Sequence, residues 1–137
     1  MTRQELYLDH LREEGFRPTF DDDGIYFKLE GKTFIQFCGG DDEQLFRLGA
    51  FGIFPLRLPD DLPHAYRAAS EISARFKVAK AFVIKAESVV ATTEMSVGQP
   101  DQFKEVFERC ISMLQGLVRE FAKLMNEYRS ATPVARA

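Results

Sequence analysis

The stretch from Pro100 to Tyr128 constrains this chain most. Phe103, Phe107, Cys110, Leu114, Leu117, Phe121, Leu124 and Tyr128 recur there at alternating steps of four and three. That spacing predicts one apolar stripe along a single long amphipathic helix. Val106, Ile111, Val118 and Met125 flank the stripe, so the face is wider than the two-position seam of a coiled coil. At about 1.5 Å per residue, roughly 28 helical residues reach about 42 Å, more than one face of a small sheet needs. The expectation is that part of the stripe buries against a second copy of the chain. Pro100 suits the first turn and Asp101 the positive end of the dipole. Residues 129–137 are small and polar and are expected to fray, which leaves 1–128 as the folded unit.

A helix with so wide a face needs a sheet to cover, and the preceding residues supply the strands. Thr2-Arg3-Gln4-Glu5 reads as a capping box opening a short helix through Leu6, Tyr7, His10 and Leu11, which Gly15 stops. Phe16 to Phe20 is extended, with Pro18 marking an edge strand. Asp21-Asp22-Asp23-Gly24 is turn chemistry. Ile25, Phe27 and Leu29 then alternate with Tyr26, Lys28 and Glu30 as a half-buried strand. After Glu30-Gly31-Lys32, the run Thr33 to Cys38 is apolar on both faces through Phe34, Ile35 and Phe37, which places it inside the sheet. A long extended stretch from Gln44 to Phe54 follows, with Gly49 and Gly52 marking a bulge or a close backbone approach. Pro55 to Pro63 is a crossing loop, and a helix begins at Asp61 or Leu62 with Tyr66, Ala69, Ile72, Ser73 and Phe76 on its inner face. Val78 to Lys85 and Ser88 to Val97 form a hairpin before the long helix. The order is α-β-β-β(-β)-α-β-β-α, a two-layer α+β domain with an antiparallel sheet of about five strands and three helices.

The full chain has 137 residues, enough for one domain with a real core, and 45% hydrophobic with 28% charged residues places it among globular proteins. A net charge of −3, with basic residues spread among acids, argues against a nucleic-acid partner. No run approaches the length of a membrane span, and there is no signal-peptide pattern. Cys38 and Cys110 lack neighbours at metal-ligand spacing and read as structural thiols suited to a reducing cytoplasm.

Reactive chemistry finds little footing. The acidic groups Asp21–Asp23, Asp41–Glu43 and Asp60–Asp61 lack the ligand alternation of a calcium loop and read as solvated turns. Cys38 stands beside Gly39-Gly40 with His10 or His64 as a conceivable base, but Asp41 and Asp42 give it the wrong local charge for a thiolate. Neither a metal nor a cofactor is expected. What stands out instead is the aromatic and glycine-rich stretch from Phe46 to Phe54 and the wide helical stripe. Phe46, Leu48, Phe51, Ile53, Phe54, Leu117, Phe121 and Leu124 are the candidate partner- or dimer-binding residues. The same residues could equally fill one monomer core.

Glu14-Gly15-Phe16, Asp23-Gly24-Ile25-Tyr26-Phe27, Glu30-Gly31-Lys32 and the segment Ile72 to Ala81 resemble the YbjN-type family, provisionally labelled bacterial sensory transduction regulators. The likeness runs from about Glu5 to Leu124, and the Arg75 to Ala81 junction is its most specific part. It implies a fold like that of the type III secretion chaperones, small acidic α+β proteins that form homodimers and bind extended client segments. Family members often carry asparagine near Ser70 and Ser73, where this chain departs. The expected function is a non-enzymatic, cytoplasmic protein-binding or regulatory homodimer that takes a further protein as partner. The alternative is a small-molecule sensor with its ligand in an aromatic-lined cavity.

Overall fold

The computed structural model describes residues 2–131. In chain order the elements are α1 (Arg3–Glu13), β1 (Thr19–Phe20), β2 (Gly24–Leu29), β3 (Lys32–Phe37), β4 (Leu45–Phe51), α2 (Asp61–Arg75), β5 (Ala79–Ile84) and β6 (Ser88–Ser96). A 3₁₀ turn at Pro100–Gln102 then leads into α3 (Phe103–Ala131). The strands make one antiparallel sheet in the order β1-β2-β3-β4-β6-β5. The expected α+β two-layer architecture is therefore present, with six strands rather than about five, the sixth being the two-residue β1.

Local chemistry accounts for the boundaries. Thr2 Oγ1 accepts from the Glu5 amide at 3.2 Å and opens α1. Gly15, at φ +93°, closes it, with the Gly15 amide donating to Arg12 O and the Phe16 amide to Leu11 O. Strand β4 ends at Phe51 because Gly52 turns the chain at φ +60°. The extended stretch expected to run through Phe54 is thus cut short, and Ile53 and Phe54 drop into the core. Helix α2 is also rotated from its expected phase. Ala65, Ala68, Ala69 and Ile72 are its buried apolar residues, while Tyr66 is 51% exposed. Small side chains on that face let α2 lie close to β5, and a tyrosine there would hold it away.

Helix α3 is the cover of the sheet, and every residue of its predicted stripe is buried. The reach that suggested a second copy is taken up within the chain. Near its start, Phe103 packs on Tyr7 of α1 at 4.6 Å between ring centroids, and His10 stands edge-on to Phe103 and Phe107. Burial there lowers the His10 pKa and pushes that of Tyr7 up to about 12. One turn on, Phe107 also meets Phe27 and Phe46 of the sheet. Near its end it packs on α2, where Tyr128 Oη donates to Glu71 at 3.1 Å. The helix also outruns its expected end at Tyr128 and continues to Ala131. The rest of the tail expected to fray, residues 132–137, lies outside the described residues.

Arg129 explains the extension. Its Nε donates to Asp61 Oδ1 at 2.9 Å and its Nη2 to Asp61 Oδ2, while its guanidinium lies 4.6 Å from the centre of the Phe54 ring. Asp61 is buried and also accepts the amides of Arg57 and Leu58 at 2.8 and 2.9 Å. One carboxylate thus ties the crossing loop, the start of α2 and the end of α3. The Arg129 bond holds its pKa well below the usual carboxylate range, with the two amides adding to the effect. A depressed native pKa stabilises the fold at pH above about 4, and that contribution is lost as pH falls toward the native value. Asp61→Asn is expected to cost about 2–4 kcal/mol in urea unfolding near neutral pH. The difference from the parent should narrow as pH falls below about 4; a variant within about 0.5 kcal/mol of the parent at neutral pH would contradict this role.

Candidate functional site

Strand register sorts the sheet residues into two faces, because neighbours in register share a face and alternate residues do not. Ile25, Phe27, Phe34, Gln36, Phe46, Leu48, Ala50, Val89, Ala91 and Thr93 point to the helices. The other set has no helix over it: Tyr26 on β2, Ile35 and Phe37 on β3, Arg47, Gly49 and Phe51 on β4, Val90, Thr92 and Glu94 on β6, and Lys80 and Phe82 on β5. An antiparallel sheet with one wet face ordinarily turns polar residues to it. Here phenylalanines stand on that face.

Their packing is specific. Phe51 and Phe82 flank Val90 in register and are 44% and 38% exposed, while Val90 between them is 1% exposed. The two rings shield the valine and remain half bare themselves. Phe37 lies across Gly49: a Cβ added there would come within 3.2 Å of Phe37 Cε2 and of the Ala91 carbonyl oxygen. Glycine is what lets the ring lie flat. The guanidinium of Arg47 covers the Phe37 ring at 4.5 Å and its Nε is 3.7 Å from Glu94 Oε1 across the strands. Phe51 meets Phe37 edge-on at 6.3 Å. A shallow recess of about 450 Å³ lies between Tyr26, Ile35, Phe37 and Phe51.

Both sheet edges are blunted. At β5 the Ser73 hydroxyl of α2 accepts from the Ala81 amide at 3.0 Å and donates to the Ala81 carbonyl at 3.1 Å. That occupies the backbone pair in the middle of the edge. At the other edge β1 has two residues and follows Pro18.

Of the eight candidate residues, Phe46, Leu48, Ile53, Phe54, Leu117, Phe121 and Leu124 are buried in the chain's own core. Phe51 alone reaches the surface. Phe37, Arg47 and Phe82 join it there and were not anticipated. The alternation around Phe46 and Leu48 held the signal, since Arg47, Gly49 and Phe51 must then face the other way.

The residues weighed for chemistry have other work. Asp21 Oδ1 accepts the Asp23 and Gly24 amides and Oδ2 accepts the Tyr26 hydroxyl, a turn closed on itself. Cys38 and Cys110 are free thiols, each with its pKa raised by burial. His64 packs its ring on Tyr128 at 5.4 Å. Among the described residues, no group of three or more His, Cys, Asp or Glu side chains could hold a metal ion, and no helix is long and apolar enough to cross a membrane.

No protein-family model matches the chain, and no curated protein matches it by sequence. Solved structures do. YbjN from E. coli, provisionally described as a transcription regulator, superposes with a TM-score of 0.63 at 15% identity over 83% of this chain and 87% of its own. An uncharacterized protein from Methanothermobacter thermautotrophicus gives a TM-score of 0.55 at 14% identity, over 96% of this chain and 99% of its own. The chain has a YbjN-like fold.

Replacing Phe51 and Phe82 together by serine is expected to cost less than about 1.5 kcal/mol in urea unfolding. Leu117→Ala, inside the core, is expected to cost about 2–5 kcal/mol. Equal losses would show that the two rings are core residues rather than surface.

Proposed function

We propose that the chain is a non-enzymatic protein-binding or regulatory module that works through the helix-free face of its sheet. The observation that carries this reading is the set of half-bare rings, Phe51 and Phe82, on a face that solvent would otherwise keep polar. Packing those rings against an apolar partner surface would remove about 25 cal/mol of unfavourable hydration per Å² buried. Aromatic residues beside an arginine are also the composition that interface centres favour.

The description of YbjN as a regulator agrees with this reading, and the chain's net charge of −3 favours a protein over a nucleic acid as the partner. Two free thiols with raised pKa values suit a reducing, cytoplasmic setting. A buried small-molecule site draws less support. The aromatic side chains under α3 pack on one another, with Phe46, Phe103 and Phe107 at centroid distances of 5.6 to 6.4 Å. That leaves little room for a ligand among them.

The test is affinity capture from native bacterial extract by the immobilised chain and by a Phe51→Ser, Phe82→Ser double variant of unchanged circular dichroism. The parent is expected to retain protein that the variant releases. Identical retention by both would overturn the assignment of the binding surface to this face.

A further inference from the structure

The recess on the open face has a rim, and that rim is held from the helical side of the sheet. We infer that α1 governs the binding face through Arg3: docked, it fixes the loop between β3 and β4 beside the recess, and undocked it releases that loop. This rests on the proposed function and adds the regulation of the same site.

Gly39 and Gly40 of the loop are exposed and line the recess beside Tyr26, Phe37 and Phe51. Two adjacent glycines leave the backbone little restrained, and Gly40 takes φ +92°. The residues on either side are tied down. The Cys38 amide donates to Asp23 O at 3.3 Å, the Gln44 amide to Asp42 Oδ1 at 3.0 Å and the Leu45 amide to Asp42 O at 3.2 Å. Between them, residues 39–41 make no backbone-to-backbone hydrogen bond among the described residues.

Arg3 supplies what is missing. Its Nη2 donates to the Cys38 and Gly40 carbonyls at 2.7 and 3.1 Å, with Gly39 O at 3.4 Å, and its Nη1 donates to Asp42 O at 2.9 Å. One guanidinium thus gathers four carbonyls around the glycine pair. The positive charge strengthens each bond, and the planar fork fixes where the carbonyls stand relative to one another.

That grip is only as firm as the helix that carries it. Arg3, Tyr7 and Leu11 follow one another at steps of four and form one row along α1. Tyr7 and Leu11 are fully buried, with Tyr7 packed on Phe46 and Phe103. Among the described residues, the side-chain hydrogen bonds from α1 to other elements all come from Arg3. Two groups that α1 buries, Tyr7 Oη and His10 Nε2, have no hydrogen-bond partner there, which weighs against docking. A helix of 11 residues is also too short to persist away from the core. By contrast, α2 and α3 are locked to each other through Asp61 and Arg129. α1 is therefore the helix that opens most readily, and its opening frees the rim without unfolding the sheet. A partner covering Phe51 and the recess must then order residues 39–41 as well, and that cost is subtracted from its affinity.

The experiment pairs amide hydrogen exchange, read by mass spectrometry on a peptide spanning residues 38–45, with capture from native bacterial extract. Arg3→Ala cuts the bonds to the loop. Leu11→Ala loosens α1 two turns away from Arg3, and Leu117→Ala weakens α3 instead. Arg3→Ala and Leu11→Ala are each expected to speed exchange in the loop at least about fivefold, while Leu117→Ala leaves it at the parent rate because the loop opens locally. Both α1 variants should retain less than about a fifth of the extract protein that the parent retains. A loop at the parent rate in Arg3→Ala, or one loosened as much by Leu117→Ala as by Leu11→Ala, overturns the inference. A loosened loop with undiminished retention overturns it too, and leaves the binding face standing. If the Phe51→Ser, Phe82→Ser variant retains all that the parent does, the binding face itself fails, and its regulation fails with it.

Discussion

The burial of α3 against one face of the sheet is the constraint on which the rest of this structure depends. Its stripe carries Phe103, Phe107, Leu114, Leu117 and Phe121 into the core, each worth about 1.5–3 kcal/mol relative to exposure. No balance of helix propensities, at under about 1 kcal/mol per residue, competes with that. Once α3 takes the middle of the sheet, α1 can dock only beside its first turns, through Tyr7 and His10, and α2 only beside its last, through Glu71 and Asp61. All three helices end on one side. The opposite side is left with whatever the strands present to it.

What the strands present explains the functional reading. A sheet face without helices can be made harmless by lysines and threonines, and part of this one is, through Lys80 and Thr92. Phe37, Phe51 and Phe82 are the exceptions, and each is held in place: Phe37 by Gly49 beneath and Arg47 above, Phe51 and Phe82 by the valine between them. Surface rings positioned this way lose little further freedom when a partner covers them. The blunted edges act in the same direction, since they leave the face as the sheet's route to a neighbour.

Much of the fold was legible in the chain. The four-three spacing from Phe103 to Tyr128 identified α3, Thr2 and Gly15 bounded α1, and Glu30-Gly31 closed the turn between β2 and β3 with both residues at positive φ. What could not be read was which apolar surface covers which. Periodicity reports that a helix has a wide face, but the packing of α1 and α2 against α3, decided by contacts far apart in sequence, determines whether that width is spare. Leu117, Phe121 and Leu124 were candidates for an interface for this reason and are core residues. Register hid the helix-free face in the same way. Runs such as Phe34-Ile35-Gln36-Phe37 break strict alternation, and Gln36, which looks like the outward residue, is fully buried under the helices beside Phe34, its side chain with no hydrogen-bond partner among the described residues. Arg129 escaped notice because a polar residue past the last stripe position gives no hint that a buried carboxylate waits for it.

The central claim is that the half-bare rings of the open face are a contact surface. Oxidative footprinting with mass spectrometry, performed on the unmodified chain alone and in native extract, tests it most directly. The account predicts that Phe51 and Phe82 are protected in extract relative to the chain alone, while Tyr66, also exposed on α2, reacts alike in both. Unchanged oxidation of Phe51 and Phe82, with or without a change at Tyr66, would contradict it.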